Sequence, residues 1–144
     1  MSEVLHNTQD WTFDRISEYG KAITAAMKKL HDKFPRDGTP ESMMQDIVSG
    51  AIQLWLALKG DEFKGILLTD IQTVPATGIK SVRIVGASGE DGSDFLGQLG
   101  TVEEWAWSIG ADDVIPVGRV GWKKPLALKG YEVDRVVYRK ARPE

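Results

Sequence analysis

Apolar residues recur at every third or fourth position in two early parts of the chain, and this spacing predicts two helices. Between Trp11 and His31, the residues that share one face are Ile16, Tyr19, Ile23, Met27 and Leu30. A second helix begins at Thr39 and Pro40, where threonine can cap the first turn and proline loses no hydrogen bond. Gly50 ends it. Residues 1–10 are expected to be a tail before the first helix.

The middle of the chain changes to short apolar segments bounded by turn residues, which predict three strands. These strands are Ala51–Leu58, Phe63–Val74 and Ile79–Val85. The turns between them are only a few residues long, so the strands are expected to be antiparallel. In the third strand, Val82 and Ile84 share one face and Arg83 points to the other.

The second half alternates between helix and strand. After the glycine-rich residues 86–92, Ser93 or Asp94 caps a helix with core positions at Leu96, Leu99, Val102, Ala106 and Ile109. A strand at Val114–Val117, a short helix or turn at Val120–Lys129 and a closing strand at Tyr131–Lys140 follow. Together these elements predict an α/β (α+β) mixed sheet in the order α-α-β-β-β-α-β-α-β. An antiparallel meander precedes a parallel βαβ crossover, all within one domain over residues 11–144.

Composition narrows the class of protein without defining its chemistry. The chain of 144 residues has no cysteine, which excludes disulfides, thiolate metal sites and a cysteine nucleophile. Its net charge of −3 is unlike that of a general nucleic-acid binder, and no apolar run is long enough to span a membrane. The first residues lack a signal peptide, so a cytoplasmic protein with no nucleic-acid or membrane partner is expected.

Several segments in the predicted order resemble the GNAT acetyltransferase superfamily, in particular a divergent group found in tailed bacteriophages. The segments that carry the resemblance are Ile66–Ile71, Ile79–Val85, Glu103–Ala106, Ile109–Ala111, Val114–Val117, Gly118–Trp122 and Leu128–Val133. The resemblance covers residues 11–140. It implies a GNAT-like fold and a phage protein in the host cytoplasm during infection or in the virion.

The same resemblance implies where acetyl-CoA would bind. In the superfamily, the loop after the fourth strand holds the pyrophosphate with its backbone N–H groups. The matching residues are Val85, Gly86, Ala87, Ser88, Gly89, Gly92 and Ser93. This loop lacks the arginine or glutamine usual at its head and carries the acidic residues Glu90, Asp91 and Asp94. The alternative interpretation is an ordinary capped helix start, with acids at the positive end of the helix dipole. No cofactor is therefore expected, or acetyl-CoA if the enzyme is active.

The catalytic groups implied by the resemblance are largely missing. Leu126 occupies the position of the usual tyrosine acid and cannot donate a proton. Asp70 and Glu62 are the candidates for a general base, although either can be a solvated carboxylate on a strand.

Arg119, Trp122 and Trp107 form the candidate partner-binding set. Arginine and tryptophan are enriched at interfaces, but the Gly118–Trp122 segment can equally be a strand end and a core tryptophan. Trp105 and Trp107 are two positions apart on one helix, so one should point inward and the other outward.

Three hypotheses remain. The first is a catalytically degenerate GNAT-like protein with a structural, virion-associated or protein-binding role. The second is an active acetyl-CoA-dependent N-acyltransferase. The third is a phage protein that binds and inhibits a host or defence protein. Other phage or host proteins are the expected partners, and a homo-oligomer is left open.

Overall fold

The fold is built on a five-stranded mixed sheet with helices on both faces, and the predicted fold class is confirmed. The computed structural model describes residues 2–90, 94–118 and 122–144. The strands lie side by side in chain order; the first four are antiparallel, and the fifth runs parallel to the fourth. The elements are β1 (Glu3–Asn7), α1 (Phe13–Ser17), α2 (Gly20–Lys33), α3 (Pro40–Ser49), β2 (Gln53–Lys59), β3 (Glu62–Thr73), β4 (Lys80–Gly89), a 3₁₀ turn (Leu96–Gln98), α4 (Leu99–Ser108), β5 (Asp113–Pro116) and α5 (Lys123–Ala127).

Alternation along the strands divides the core into two layers. On β2, the side chains of Leu54, Leu56 and Leu58 pack with those of α2 and α3 on one face. Trp55 and Ala57 point to the opposite face, where α4 covers them. The central strands are therefore apolar on both sides, as expected for strands buried under helices on each face.

The early helices largely follow the prediction, with one break. The predicted helix from Trp11 to His31 is divided into α1 and α2. The Tyr19 N–H donates to the Ile16 carbonyl at 3.0 Å at the end of α1, and a new helix begins at Gly20. The start and end of α3 agree with the prediction: the Thr39 side chain accepts a hydrogen bond from the Ser42 N–H, and Gly50 adopts a left-handed conformation.

The predicted N-terminal tail is wrong, because Glu3–Asn7 form β1 and pair with β2. Leu5 is buried, and the neighbouring Thr8 hydroxyl donates to the Leu54 carbonyl at 2.7 Å. A five-residue strand with one inward apolar side chain leaves too short an alternation to recognise in the sequence.

The predicted closing strand, Tyr131–Lys140, is also wrong in this structure. Within the described ranges it pairs with no other strand, and residues 132–144 are exposed. Tyr131 is the last residue that packs on the core, and its N–H donates to the Leu126 carbonyl at 3.1 Å. Alternation shows that a segment can form a strand but does not specify its partner.

None of the helices in the described ranges is both long and apolar enough to cross a bilayer.

Candidate functional site

The parallel strands β4 and β5 separate where β4 bulges. They pair only from Ser81 to Ile84, and the last link is the Val117 N–H to the Ile84 carbonyl at 2.9 Å. On its other side, β4 has one extra residue, Val85, between the residues that pair with Leu68 and Thr69 of β3. A bulge of this kind bends its strand, so β4 continues to Gly89 without β5 beside it.

A cleft of about 390 Å³ lies at this separation, on the side of the sheet covered by α2 and α3. Its apolar wall includes Leu30, Leu68 and Val85, and Val117 lies at its β5 side. This volume is within the range of small-ligand sites, which are mostly apolar with a few placed polar groups.

Two of the charged side chains in the cleft form a bidentate ion pair. Asp70 and Arg83 lie directly opposite each other on β3 and β4. Arg83 donates from Nε to Asp70 Oδ1 at 2.9 Å and from Nη2 to Oδ2 at 2.6 Å. These hydrogen bonds raise the pKa of Arg83, against the opposing effect of burial. Asp70 is thus a predicted base candidate that does lie in the cleft, but its carboxylate is already held by a cation.

The remaining charges make the cleft acidic. Asp37 and Asp46 also line it, so three aspartates and one arginine give a net charge of −2. In the described part of the chain, neither Asp37 nor Asp46 has a side-chain ion pair or hydrogen bond. Neither was predicted from the sequence, because an aspartate in a turn and one on an amphipathic helix resemble ordinary surface residues.

The turn that carries Asp37 is held by a histidine. The His31 Nδ1–H donates to the Gly38 carbonyl at 2.6 Å, which links the end of α2 to the residues before α3. Because a carbonyl can only accept, this contact places a proton on Nδ1. The turn that places Asp37 in the cleft is therefore tied to the end of α2 by a defined hydrogen bond.

The predicted cofactor residues 85–89 belong to β4 rather than to a loop, and close packing explains the two glycines among them. A Cβ on Gly86 would lie 2.8 Å from Leu30 Cδ2, and one on Gly89 would lie 2.7 Å from the Lys64 carbonyl oxygen. Ala87 packs against the core on the α4 side, and Ser88 is buried. Gly92 and Ser93, also predicted to bind the cofactor, lie outside the described residues.

Carboxylates of the chain itself occupy the start of the helix that follows β4. Glu3 of β1 accepts hydrogen bonds from the Asp94 N–H, at 3.0 Å, and from the Gln98 side-chain amide. Asp94 in turn accepts the Gly97 N–H at 2.8 Å. The Gln98 N–H donates to the Phe95 carbonyl. Two of the N–H groups at this helix start, those of Asp94 and Gly97, therefore already donate to the chain's own carboxylates rather than to a phosphate.

These contacts test whether the described residues fit the diphosphate of acetyl-CoA. A phosphate charge about 4 Å from the Glu3 or the Asp94 carboxylate would be repelled by about 4 kcal/mol at an effective dielectric constant of about 20. The described residues at this helix start therefore do not fit a diphosphate. Glu90, another acidic residue of the predicted loop, has Lys64 Nζ 3.7 Å from its carboxylate, and this cation offsets part of its negative charge. Glu3 was missed because residues 1–10 were predicted to be a tail.

Neither Leu126, at the position of the family's usual tyrosine acid, nor Glu62, the other candidate for a general base, lines the cleft. Leu126 packs against the α4 layer of the core. Tyr131 Oη donates to the Glu103 carboxylate at 2.5 Å, and burial together with this bond raises the pKa of Tyr131. Glu62 is the first residue of β3, pairs with Lys64 at 3.1 Å, and does not line the cleft.

The tryptophans of α4 point in different directions, as predicted. Trp105 packs edge-on against Trp55 with ring centroids 5.4 Å apart, whereas Trp107 is 53% exposed. Trp122 is partly buried beside Gly118, where an added Cβ would collide with its ring. Arg119 lies outside the described residues. The structure therefore does not unite these residues as one surface, and their partner-binding role stays a prediction.

No family model matches the chain, and no curated protein matches its sequence. Solved structures do match its fold over nearly the whole chain. Glucosamine-6-phosphate N-acetyltransferase from Arabidopsis thaliana has a TM-score of 0.68 at 12% identity, covering 98% of this chain and 99% of that one. A GNAT family acetyltransferase from Staphylococcus aureus has a TM-score of 0.65 at 11% identity, covering 99% and 100%. Ribosomal-protein-alanine N-acetyltransferase from Brucella melitensis has a TM-score of 0.62 at 10% identity, covering 99% of each. The chain therefore has a GNAT-like fold.

Proposed function

We propose that this chain is a binding protein on a GNAT-like fold, in which the acyl-transfer machinery has been lost. The observation that carries the proposal lies at the start of the helix after β4. There the Glu3 carboxylate accepts the Asp94 N–H, and the Asp94 carboxylate accepts the Gly97 N–H. In this interpretation, the chain's own carboxylates replace the diphosphate and hold β1 against the helix. The leucine at position 126 supports the same conclusion, because it offers no proton to a leaving thiolate.

The ligand that fits the cleft is a cationic group such as a lysine side chain. Asp37 and Asp46 provide two negative charges, and the Asp70–Arg83 pair contributes none on balance. The apolar wall suits the methylene part of a lysine, which packs along apolar surface while its ammonium group meets a carboxylate. A protein that presents such a side chain is therefore the kind of partner we propose.

A matched pair of ligands tests this proposal. Nα-acetyl-lysine methylamide carries the cation, and Nα-acetyl-norleucine methylamide has a similar alkyl chain without it. Titration followed by amide chemical shifts should show shifts around the cleft with the lysine compound only. Equal binding of the norleucine compound would contradict a cation site.

Variants of the cleft aspartates provide the second arm. Asp37→Asn and Asp46→Asn should each weaken lysine binding by up to about fivefold, since exposed ion pairs contribute up to about 1 kcal/mol. Asp10→Asn is the control, because Asp10 is exposed and does not line the cleft. An effect of Asp10→Asn as large as that of Asp37→Asn would indicate general charge attraction rather than a site.

An active N-acyltransferase is the second candidate, favoured by the position of the cleft where β4 and β5 separate and by the acetyltransferase folds of the matched structures. An amine acceptor would occupy the same acidic cleft. Incubation with acetyl-CoA and the lysine compound, with free thiol measured over time, separates the two functions. We expect no thiol release above the reaction without protein; sustained turnover would establish the second candidate.

The biological setting rests on the sequence resemblance alone. We propose a phage protein that is present in the host cytoplasm or in the virion and binds phage or host proteins. Mass spectrometry of purified particles tests the virion role, for which a fixed copy number per particle is expected. Absence from the particles would favour the hypothesis of binding to a host or defence protein.

A further inference from the structure

The hairpin formed by β3 and β4 extends beyond the strands on either side of it. The pairing of β2 with β3 ends where Gln53 lies opposite Thr69, and the pairing of β5 with β4 begins only at Ser81. In the described part of the chain, residues 70–73 of β3 therefore pair with β4 alone. Residues 71–79 are all exposed, so this end of the hairpin projects from the sheet into solvent.

One face of the projecting hairpin continues the cleft. Asp70 and Arg83 line the cleft, and the register of β3 and β4 is regular from this pair to the tip, so alternate cross-strand pairs share its face. The Lys80 ammonium instead donates to the Ile109 carbonyl at the end of α4, which places its pair on the opposite face. The residues on the cleft face beyond the ion pair, called the hairpin strip below, are Gln72 with Ser81 and then Val74 with Ile79.

The hairpin strip ends in an exposed apolar pair on a fixed turn. Val74 and Ile79 are 48% and 46% exposed. The Val74 N–H donates to the Ile79 carbonyl at 2.9 Å, and the Gly78 N–H donates to the Val74 carbonyl at 2.8 Å. Gly78 has a φ of +73°, a left-handed conformation that favours glycine and closes the turn. The apolar pair is therefore held in place before a ligand binds, which lowers the entropic cost of binding.

We infer that the cleft and the hairpin strip together bind one extended peptide segment of a partner protein, with a lysine in the cleft and an apolar side chain on Val74 and Ile79. This inference rests on the cation-binding function proposed above for the cleft. The two ends of the surface differ in character: the cleft has a net charge of −2, whereas residues 71–79 include no charged side chain. The cation therefore belongs in the cleft and the apolar group at the tip.

The geometry of the hairpin sets the spacing between the two side chains. Asp70 and Val74 are four positions apart on β3, which is about 13 Å at about 3.3 Å per residue. An extended peptide has the same rise, and its side chains at positions four apart point to the same side. The lysine and the apolar residue are therefore four positions apart in the partner. An apolar residue directly after the lysine would point away from the hairpin strip.

Two peptides of identical composition test this spacing. The spaced peptide is acetyl-Lys-Ser-Gly-Ser-Leu-amide, and the adjacent peptide is acetyl-Lys-Leu-Ser-Gly-Ser-amide. Amide chemical shifts should show the spaced peptide binding about five- to tenfold more tightly, because its leucine covers a half-exposed apolar pair. Only the spaced peptide should also shift the amides of residues 72–79. The same spacing in the opposite chain direction, acetyl-Leu-Ser-Gly-Ser-Lys-amide, is measured beside it, and tighter binding of either spaced peptide supports the inference.

Variants of the tip provide the second arm. Val74→Ser and Ile79→Ser should each remove most of the advantage of the spaced peptide and leave the affinity for Nα-acetyl-lysine methylamide unchanged, which also shows that the cleft is intact. Val4→Ser is the matched control, because Val4 is likewise 48% exposed but lies on β1 and does not line the cleft. This variant should retain the full advantage.

The outcomes separate this inference from the proposed function. Equal affinity for the spaced and adjacent peptides, with the lysine compound still bound in the cleft, would overturn the inference alone. An advantage that survives Val74→Ser and Ile79→Ser, or that Val4→Ser removes equally, would overturn it as well. Failure of the lysine compound and of all three peptides to bind would overturn the proposed function and this inference together.

Discussion

The glycine pair Gly65 and Gly89 gives a sharp test of whether Gly89, predicted to bind the cofactor, serves packing instead. The two residues face each other across β3 and β4 beneath Phe95. A Cβ on Gly65 would lie 2.7 Å from the Ser88 carbonyl oxygen and 2.8 Å from Gly89 Cα. Both are backbone atoms, so the strands themselves must move apart to accept Gly65→Ala.

Overpacking of this kind costs about 1–3 kcal/mol. For a chain of this size, each kcal/mol shifts the unfolding temperature by about 2–4 °C, so Gly65→Ala should lower Tm by about 6 °C. Gly100→Ala is the matched control: Gly100 lies in α4, and nothing lies within 4 Å of its added Cβ. Alanine should stabilise that helix by about 0.5–1 kcal/mol.

Differential scanning calorimetry of the three proteins provides the measurement. Opposite signs for the two alanine variants are expected. If Gly65→Ala leaves Tm unchanged, packing does not explain this glycine, and a role in close approach to a ligand becomes the better explanation.

Three further predictions concern the core and β1. Trp105→Ala should lower the free energy of unfolding by about 3 kcal/mol, because it removes the contact with Trp55. Trp107→Ala should change it by less than about 0.5 kcal/mol, because Trp107 is exposed. Urea unfolding measures both values, and equal losses would contradict the assigned orientations. Thr69→Val removes a buried hydroxyl that accepts the Trp55 Nε1–H at 3.0 Å, so a loss of about 1–3 kcal/mol is expected, with Thr69→Ser retaining most of the stability. If valine is tolerated as well as serine, this hydrogen bond contributes no net stability. Burial, and secondarily the Arg15 charge, lower the pKa of His6. Just below pH 6.5 the unfolded chain therefore binds more protons at His6 than the folded chain does. The free energy of unfolding should fall as the pH is lowered through that window. Urea unfolding at pH 7.5 and 5.5 should show a smaller loss for His6→Gln than for the unaltered chain, and identical losses would refute the assignment.

The sequence was sufficient to predict elements that carry a long periodic signal. The buried face of α2 and the central strands follow from spacing alone, because each buries several apolar residues at regular intervals. β1 was missed because only Leu5 of its five residues is buried. The closing strand was predicted from a real alternation, but its pairing depends on an edge elsewhere in the sheet, which local sequence does not encode.

The site was harder to predict because its charges meet only through the fold. Asp70 was a candidate from the sequence, but its pairing with Arg83 depends on strand register and on the bulge at Val85. Asp37 and Asp46 come from a turn and a helix that the fold brings to the same cleft. Small residues after Val85 are typical of a phosphate loop and also of close strand packing, so the sequence pattern alone does not separate the two.

Calorimetric titration of acetyl-CoA into the purified protein tests most directly whether the chain's own carboxylates exclude the cofactor. Because the Glu3 and Asp94 carboxylates lie at the helix start and accept two of its N–H groups, we predict a dissociation constant weaker than about 1 mM, equivalent to less than about 4 kcal/mol of binding free energy. A dissociation constant near 1 μM, about 8 kcal/mol, would show that the diphosphate is accepted and would contradict the loss of the acyl-transfer machinery.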